Sequence, residues 1–381
     1  MIETTLLPPV DYHESSVDIN LRFYQEGTKY SLQLLAEGQS LRRELDMTSH
    51  DLESLNQDLQ KAMRDIAHNN NQQTSAQANL DSLTELGRFA FVRIFDDHDV
   101  RSAIEQLLAS NQRCYIEIDA DNFAFPWELI CLPSSDSQSG SCCHFWGMNH
   151  IISRVISRDR ARPGGFISPI ISIDSLPTLG LLIYDGLSGA NQESHLFSRW
   201  QDEGKLSLFC LRPLDPEKRR EELQEFQRFW SNTLNLAHFA CHAFYNSSIP
   251  HNSYLLLSEE FEISLRDITN QEIYTNGHPL IVMNACETGE LTPHYTSSFA
   301  AHFLKCGARG VVATECAVPD TFAADFSNQL YTQLLEGKSL GECLLAVRQY
   351  FFQEYGNPSG LLYSMYAPPT IRLVQSGDSN G

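Results

Sequence analysis

Two stretches decide the fold: Leu234-Asn-Leu-Ala-His-Phe-Ala-Cys-His242 and Leu280-Ile-Val-Met-Asn-Ala-Cys-Glu-Thr-Gly289. Each is a short apolar run that stops on polar, reactive side chains. Such a run reads as a strand buried on both faces, as in a parallel sheet. Working outward, residues 179–184, 205–211 and 310–315 repeat the pattern, and 113–118 reads as a further strand. Between them lie helical segments. Residues 216–231 place Leu223, Phe226 and Trp230 on one face, and residues 321–335 do the same with Phe322, Phe326, Leu330 and Leu334. Strand–helix alternation predicts an α/β chain with an open, doubly wound, mostly parallel sheet flanked by helices. Residues 253–264 interrupt it as a β-hairpin.

In open parallel sheets, ligands bind outside the carboxyl ends of the strands. His242 and Cys286 end their runs there. On neighbouring strands they would stand about 4.8 Å apart. A thiol beside an imidazole can ionise to a thiolate–imidazolium pair, the activated form of a cysteine nucleophile. Gly289 suits a tight turn after the strand. The Cys286 N–H and the amide near Ala243 are then the natural oxyanion donors. Strand alternation puts His238, Ala240 and His242 on one face and Cys241 on the other. His238 therefore reads as a supporting residue and Cys241 as core. Zinc is the rival for His238, Cys241, His242, Cys286 and Cys306, but the spacing suits no knuckle and no Cys-x2-Cys pair exists. Gly337-Lys338-Ser339 mimics the end of a P-loop, yet the first glycine would fall on Thr332 within a helix. Neither a metal nor a cofactor is expected.

With these residues in place, the sequence resembles the CHAT-domain peptidases, caspase-like cysteine proteases related to separase. The resemblance is carried by His238-Phe-Ala-Cys-His242, Leu255-Leu-Leu-Ser and Met283-Asn-Ala-Cys-Glu-Thr-Gly289. It continues through Phe303-Leu-Lys-Cys-Gly-Ala-Arg-Gly-Val-Val-Ala-Thr314, Asp320 to Tyr331, and Leu335-Glu-Gly-Lys-Ser339. Upstream, Phe125-Pro-Trp-Glu-Leu-Ile130 is similar to the family's Pro-Trp-Glu-Leu element, where Trp127 and Glu128 read as packing and a buried hydrogen bond. The resemblance spans residues 80–375. It implies His242 as general base, Cys286 as nucleophile, and peptide-bond hydrolysis through an acyl-enzyme. It sets Asp320 and Glu287 on the substrate side, where a carboxylate favours Arg or Lys at P1. Asp320 also fits the cap of a helix starting at residues 321–322. The family usually has Gly where Ala243 stands and often Trp where Cys316 stands. A required positive φ would strain Ala243. A catalytically weak, caspase-like interaction module is therefore the alternative reading.

The remaining residues set the context. The 381-residue chain carries 48 acidic and 27 basic side chains, a net charge of −21. A chain this acidic is a poor partner for nucleic acid or anionic lipid. Residues 1–11 lack a signal-peptide pattern, and no run reaches the length of a membrane helix. Ten cysteines are too few for a disulfide scaffold of this length. A cytoplasmic protein is expected; the resemblance implies a protein substrate and a latent protease switched on by a protein partner in a bacterial defence or cell-death pathway. Residues 1–16 read as a lead-in and 17–67 as a helical hairpin, with helices at 17–38 and 40–67. Leu45, Leu52, Leu59 and Ile66 repeat every seven residues, either to pack on a neighbour or as a short coiled coil. Residues 68–79 read as a polar linker, and 80–375 as the protease domain. Residues 133–143 read as a loop. Arg158, Arg160 and Arg162 lie in a basic connection open to self-cleavage.

Overall fold

In the computed structural model, residues 17–69, 73–110, 113–119, 123–132, 145–156, 167–184, 186–246, 248–286 and 293–376 are described, with backbone alone at 68–69, 73–76, 110, 188, 285–286 and 293–298. The chain begins with an antiparallel meander, β1 (Ile19–Glu26), β2 (Lys29–Ala36) and β3 (Gln39–Thr48). Helices α1 (Ser49–Asn69), α2 (Gln73–Ile94) and α3 (His98–Ser110) follow. Then come β4 (Tyr115–Asp119), the short α4 (Trp146–Asn149) and β5 (Ile151–Val155). These strands form one sheet in the order β3-β2-β1-β4-β5, with β1, β4 and β5 parallel.

The helices expected over 17–38 and 40–67 are corrected here: the chain is strand up to Thr48, and helix begins at Ser49. The deciding pattern has period two. Ile19, Leu21 and Phe23 are buried, as are Tyr30, Leu32 and Leu34, while the residues between them are more exposed. Both turns carry hairpin geometry. Gly27 sits at φ 66°, and Glu37 and Gly38 at 49° and 75°, which matches the twist of the flanking strands. Leu45 therefore lies in β3, outside any heptad stripe. Leu52, Leu55, Leu59, Ala62 and Ile66 are buried on α1, which packs on α2 and β3. Of the expected linker, residues 73–79 open α2 and 70–72 lie outside the described residues. The expected loop at 133–143 and the basic connection carrying Arg158, Arg160 and Arg162 lie outside them too, as do residues 1–16.

The second half contains β6 (Ile170–Ile173), β7 (Thr178–Ile183), α5 (Ser188–Asp202), β8 (Ser207–Cys210), α6 (Arg219–Trp230) and β9 (Leu236–Phe244). It continues with β10 (Tyr254–Ser258), β11 (Phe261–Ser264), α7 (Leu265–Asn270), β12 (Leu280–Cys286), α8 (Pro293–Lys305) and β13 (Gly310–Thr314). It ends with α9 (Asp320–Leu335), α10 (Leu340–Tyr355), β14 (Tyr363–Tyr366) and β15 (Arg372–Gln375). The sheet runs β8-β7-β9-β12-β13-β14, parallel as far as β13. Small β6 and β15 pair separately. Helices cover both faces. Phe197 and Trp200 of α5 and Phe326 and Leu330 of α9 bury with Leu236 and Val282. Phe226 and Trp230 of α6 and Phe303 of α8 bury with Phe239 and Ile281 on the other side. The doubly wound architecture and the hairpin at β10–β11 are as the sequence predicts. The first core cluster also contains Ile19, Leu21 and Ile116, so the two sheets share apolar packing. No helix of the described residues is long and apolar enough to cross a membrane.

Candidate functional site

The parallel pairing of β9 and β12 runs in step from Leu236 opposite Leu280 to His242 opposite Cys286. Both residues thus reach the carboxyl edge at the same level, on strands separated by the usual parallel spacing of about 4.8 Å. The other flank of β9 is divided. β7 pairs with it as far as Ala240, and β10 takes over from His242 to Phe244. His242 stands at that handover, half-buried, its ring centroid 5.5 Å from that of Tyr184. Ala243 is buried and extended, paired with Leu255. Among the described residues the non-glycine positive φ angles belong to Glu37, Glu260, Glu272 and His278. The strain expected for Ala243 is therefore absent: strand pairing holds its φ in the extended region. Cys241 is buried in the α6–α8 core, as alternation predicts. Glu287 and Gly289 lie outside the described residues.

Below the edge, a buried polar network joins five elements. Glu193 of α5 accepts from Asn284 Nδ2 at 2.6 Å and from Ser327 Oγ at 2.9 Å. Its Oε1 also lies 3.2 Å from His238 Nε2. Tyr331 OH is 3.2 Å from His238 Nδ1, and Tyr363 OH donates to Asn284 Oδ1 at 2.9 Å. Burial, with the charge of Glu193, raises the Tyr331 phenol well above its ordinary value. It stays protonated and can donate to Nδ1; Nε2 lies close to the Glu193 carboxylate without a hydrogen bond to it. The sequence gives no sign that Glu193 is buried. Tyr184, which ends the apolar run at 179–184, is the kind of strand-end residue that the carboxyl-edge rule singles out.

Asp320 is the first residue of α9, half-buried. The cap expected of it is corrected: Pro319 holds the cap position, with no side-chain cap bond. Asp320 packs instead against the start of α5. Gly189 N–H lies 3.5 Å from Asp320 Oδ2, and a Cβ at Gly189 would stand 2.4 Å from the Asp320 carbonyl oxygen. Cys316, just beyond β13, is buried, with its Sγ 3.5 Å from the Ala317 carbonyl.

Trp127 and Glu128 are both buried, in a 3₁₀ turn. Glu128 does more than make a hydrogen bond. With Glu315 it flanks Arg154 of β5 in ion pairs, and Tyr366 OH accepts from Arg154 Nη1 at 3.1 Å. Burial disfavours the Arg154 charge, but Glu128 and Glu315 outweigh it and raise its pKa. Arg348 reaches Glu128 at 3.5 Å and donates to the Tyr363 carbonyl at 2.7 Å. The cluster ties the first sheet to the segment between β13 and α9.

The fold has counterparts among solved structures. In solved structures of the Saccharomyces cerevisiae separase–securin complex, a chain superposes at TM-scores of 0.53 and 0.50, with 11% identity. The match covers 93% and 92% of this chain and 30% of the other. A protein of Vitiosangium sp. (strain GDMCC 1.1324), named a probable protease, is 23% identical over 302 residues. That alignment takes in 74% of this chain but 37% of the relative, so the chain spans well under half of that protein. The CHAT domain family model matches residues 104–357, which contain both strand ends, the buried Glu193, His238, Asn284, Ser327 and Tyr331, and the Glu128, Arg154, Glu315 and Arg348 charges. The chain belongs to the CHAT domain family.

Proposed function

We propose that the chain is a cysteine endopeptidase in which His242 is the general base and Cys286 the nucleophile. The observation that carries this reading is the in-register pairing of positions 242 and 286 at the carboxyl edge of adjacent parallel strands. The imidazole takes the thiol proton, and the thiolate attacks the scissile carbonyl carbon. The imidazolium returns that proton to the departing amine as the C–N bond breaks, leaving a thioester. Water, deprotonated by the same imidazole, then adds to the thioester and the C–S bond breaks. The Cys286 N–H and the amide near Ala243 are the donors assigned to the oxyanion. The likeness to a probable protease and to separase supports the reaction class.

Asp320 gives the reading its specificity. A half-buried carboxylate at the start of α9, near the carboxyl edge, would pair with Arg or Lys at P1. Glu287, next to the nucleophile in sequence, is assigned to the same substrate side. The enzyme is read as cytoplasmic and latent until a protein partner in a bacterial defence or cell-death pathway switches it on. The basic connection carrying Arg158, Arg160 and Arg162 is its candidate self-cleavage site. The test is a fluorogenic peptide panel varied at P1 (Arg, Lys, Asp, Leu, Met), run on wild type, Cys286→Ala and His242→Ala. Turnover by wild type alone is expected or, while the chain is latent, alkylation of Cys286 faster than of the other thiols; turnover at the wild-type rate by either variant overturns the assignment.

A further inference from the structure

We propose that Tyr184 is a positioning residue for His242, and that Gly186 exists to let it take that place; the inference rests on the dyad reading above. β7 pairs with β9 only as far as Ile183 opposite Ala240. Tyr184 N–H donates to the Ala240 carbonyl at 2.8 Å, adding the last rung. The chain then turns away, with Leu187 N–H donating to the Tyr184 carbonyl at 3.2 Å. On that flank of β9 the hairpin strand β10 pairs only from His242 onward. Between the end of β7 and Leu256 of antiparallel β10, which stands opposite His242, the sheet is therefore broken beside that residue. The phenol ring lies there, tilted 56° to the His242 ring with centroids 5.5 Å apart.

The turn is shaped for this. A Cβ on Gly186 would lie 2.4 Å from Tyr184 Cζ, 2.5 Å from its OH and 2.7 Å from Cε1. Real atoms do not come that close, so the ring folds back over residue 186 in a place that a side chain there would force it to leave. Gly186 does not take a positive φ. Its requirement is close approach, not backbone freedom. A ring held between its own turn and the imidazole restricts the rotamers open to His242. That restriction counts because misplacing a catalytic group by about 1 Å can cost on the order of a hundredfold in rate.

The experiment compares Tyr184→Phe, Tyr184→Ala, Gly186→Ala and the Tyr184→Ala/Gly186→Ala double variant. Three quantities are read: iodoacetamide labelling of Cys286 by peptide mass spectrometry, kcat and KM on the peptide substrate, and the thermal midpoint. Tyr184→Ala and Gly186→Ala should each lower kcat and the labelling rate about tenfold or more, with KM within about threefold. Tyr184→Phe, which keeps the ring, should restore the wild-type rate. The double variant should match Tyr184→Ala within about twofold, because Gly186→Ala acts only through the ring. Multiplying effects in the double variant, or a Tyr184→Ala enzyme as fast as wild type, overturn the inference. If wild-type Cys286 labels no faster than the other thiols and Cys286→Ala still turns over, the dyad reading has failed as well. Fast wild-type labelling that Tyr184→Ala leaves unchanged removes only the role of Tyr184.

Discussion

Glu193 Oε1 lies 3.2 Å from His238 Nε2, and both side chains are buried, His238 four residues before His242 on the same face of β9. The same oxygen accepts from Asn284 of β12 and Ser327 of α9. One carboxylate from α5 thereby ties β9, β12 and α9 together below the site. Removing it takes the acceptor from the Ser327 hydroxyl, while Asn284 Nδ2 keeps the Ala323 carbonyl and Ser327 Oγ.

Glu193→Ala should therefore destabilise the chain by about 1–3 kcal/mol, the cost of one buried donor left unsatisfied. Glu193→Gln keeps one acceptor oxygen and should lose less. Urea unfolding with both variants measures this. Equal stability of Glu193→Ala and wild type would show that the donors rearrange freely.

Asp320→Asn separates the two roles open to that carboxylate. If it binds the P1 side chain, kcat/KM for Arg and Lys peptides should fall by about tenfold or more, while Leu peptides change little. A uniform loss across the panel would mean that Asp320 serves only as the negative charge at the start of α5, worth about 0.3–1 kcal/mol.

Arg154→Met should be among the most damaging single changes. It leaves Glu128 and Glu315 buried without their shared cation, and breaking such a pair costs about 3–5 kcal/mol. Adding Glu315→Gln removes one orphaned charge and should recover part of the loss. A chemical denaturation series on the single and double variants reads both steps. A double variant no more stable than Arg154→Met would count against the charge explanation.

Acid stability depends on His150. Burial lowers its pKa from 6.5 to about 4, and its Nδ1 accepts from the Cys114 N–H at 3.2 Å. Below pH 6.5 the unfolded chain takes up a proton that the folded chain refuses, so stability falls as pH drops. The loss is complete near pH 4, where the folded form protonates too, and amounts to about 3 kcal/mol. His302, also lowered to about 4 chiefly by burial, adds in the same direction. Unfolding free energy measured between pH 7 and 4 should decline through this window. His150→Asn should flatten the slope, and an unchanged slope would remove His150 from the account.

Thiol labelling is informative because several rivals of Cys286 are suppressed. Burial raises Cys131 to about 11 and Cys306 and Cys343 to about 12. Few of their molecules are thiolate at neutral pH, and the thiolate is the reacting form. Fast labelling confined to Cys286 is the expected pattern.

Long apolar runs with reactive ends identified β7, β9, β12 and β13, and alternation along β9 sorted His238 and His242 from Cys241. These features are local, since burial on both faces and a period of two are written in consecutive residues. The meander at 19–48 was equally legible by period, but Leu45, seven residues before Leu52, extends the stripe of α1 into it and imitates a helix, and the pairing of β1 with β2 and β4 decides for strand. What the tertiary structure alone decided is contact between residues distant in sequence. Glu193 joins His238, Asn284 and Ser327; Asp320 faces Gly189 rather than capping its own helix; Tyr184 meets His242 where β7 stops and β10 takes over. No spacing rule reaches these, because strand length and helix placement in three dimensions set which side chains share a buried volume.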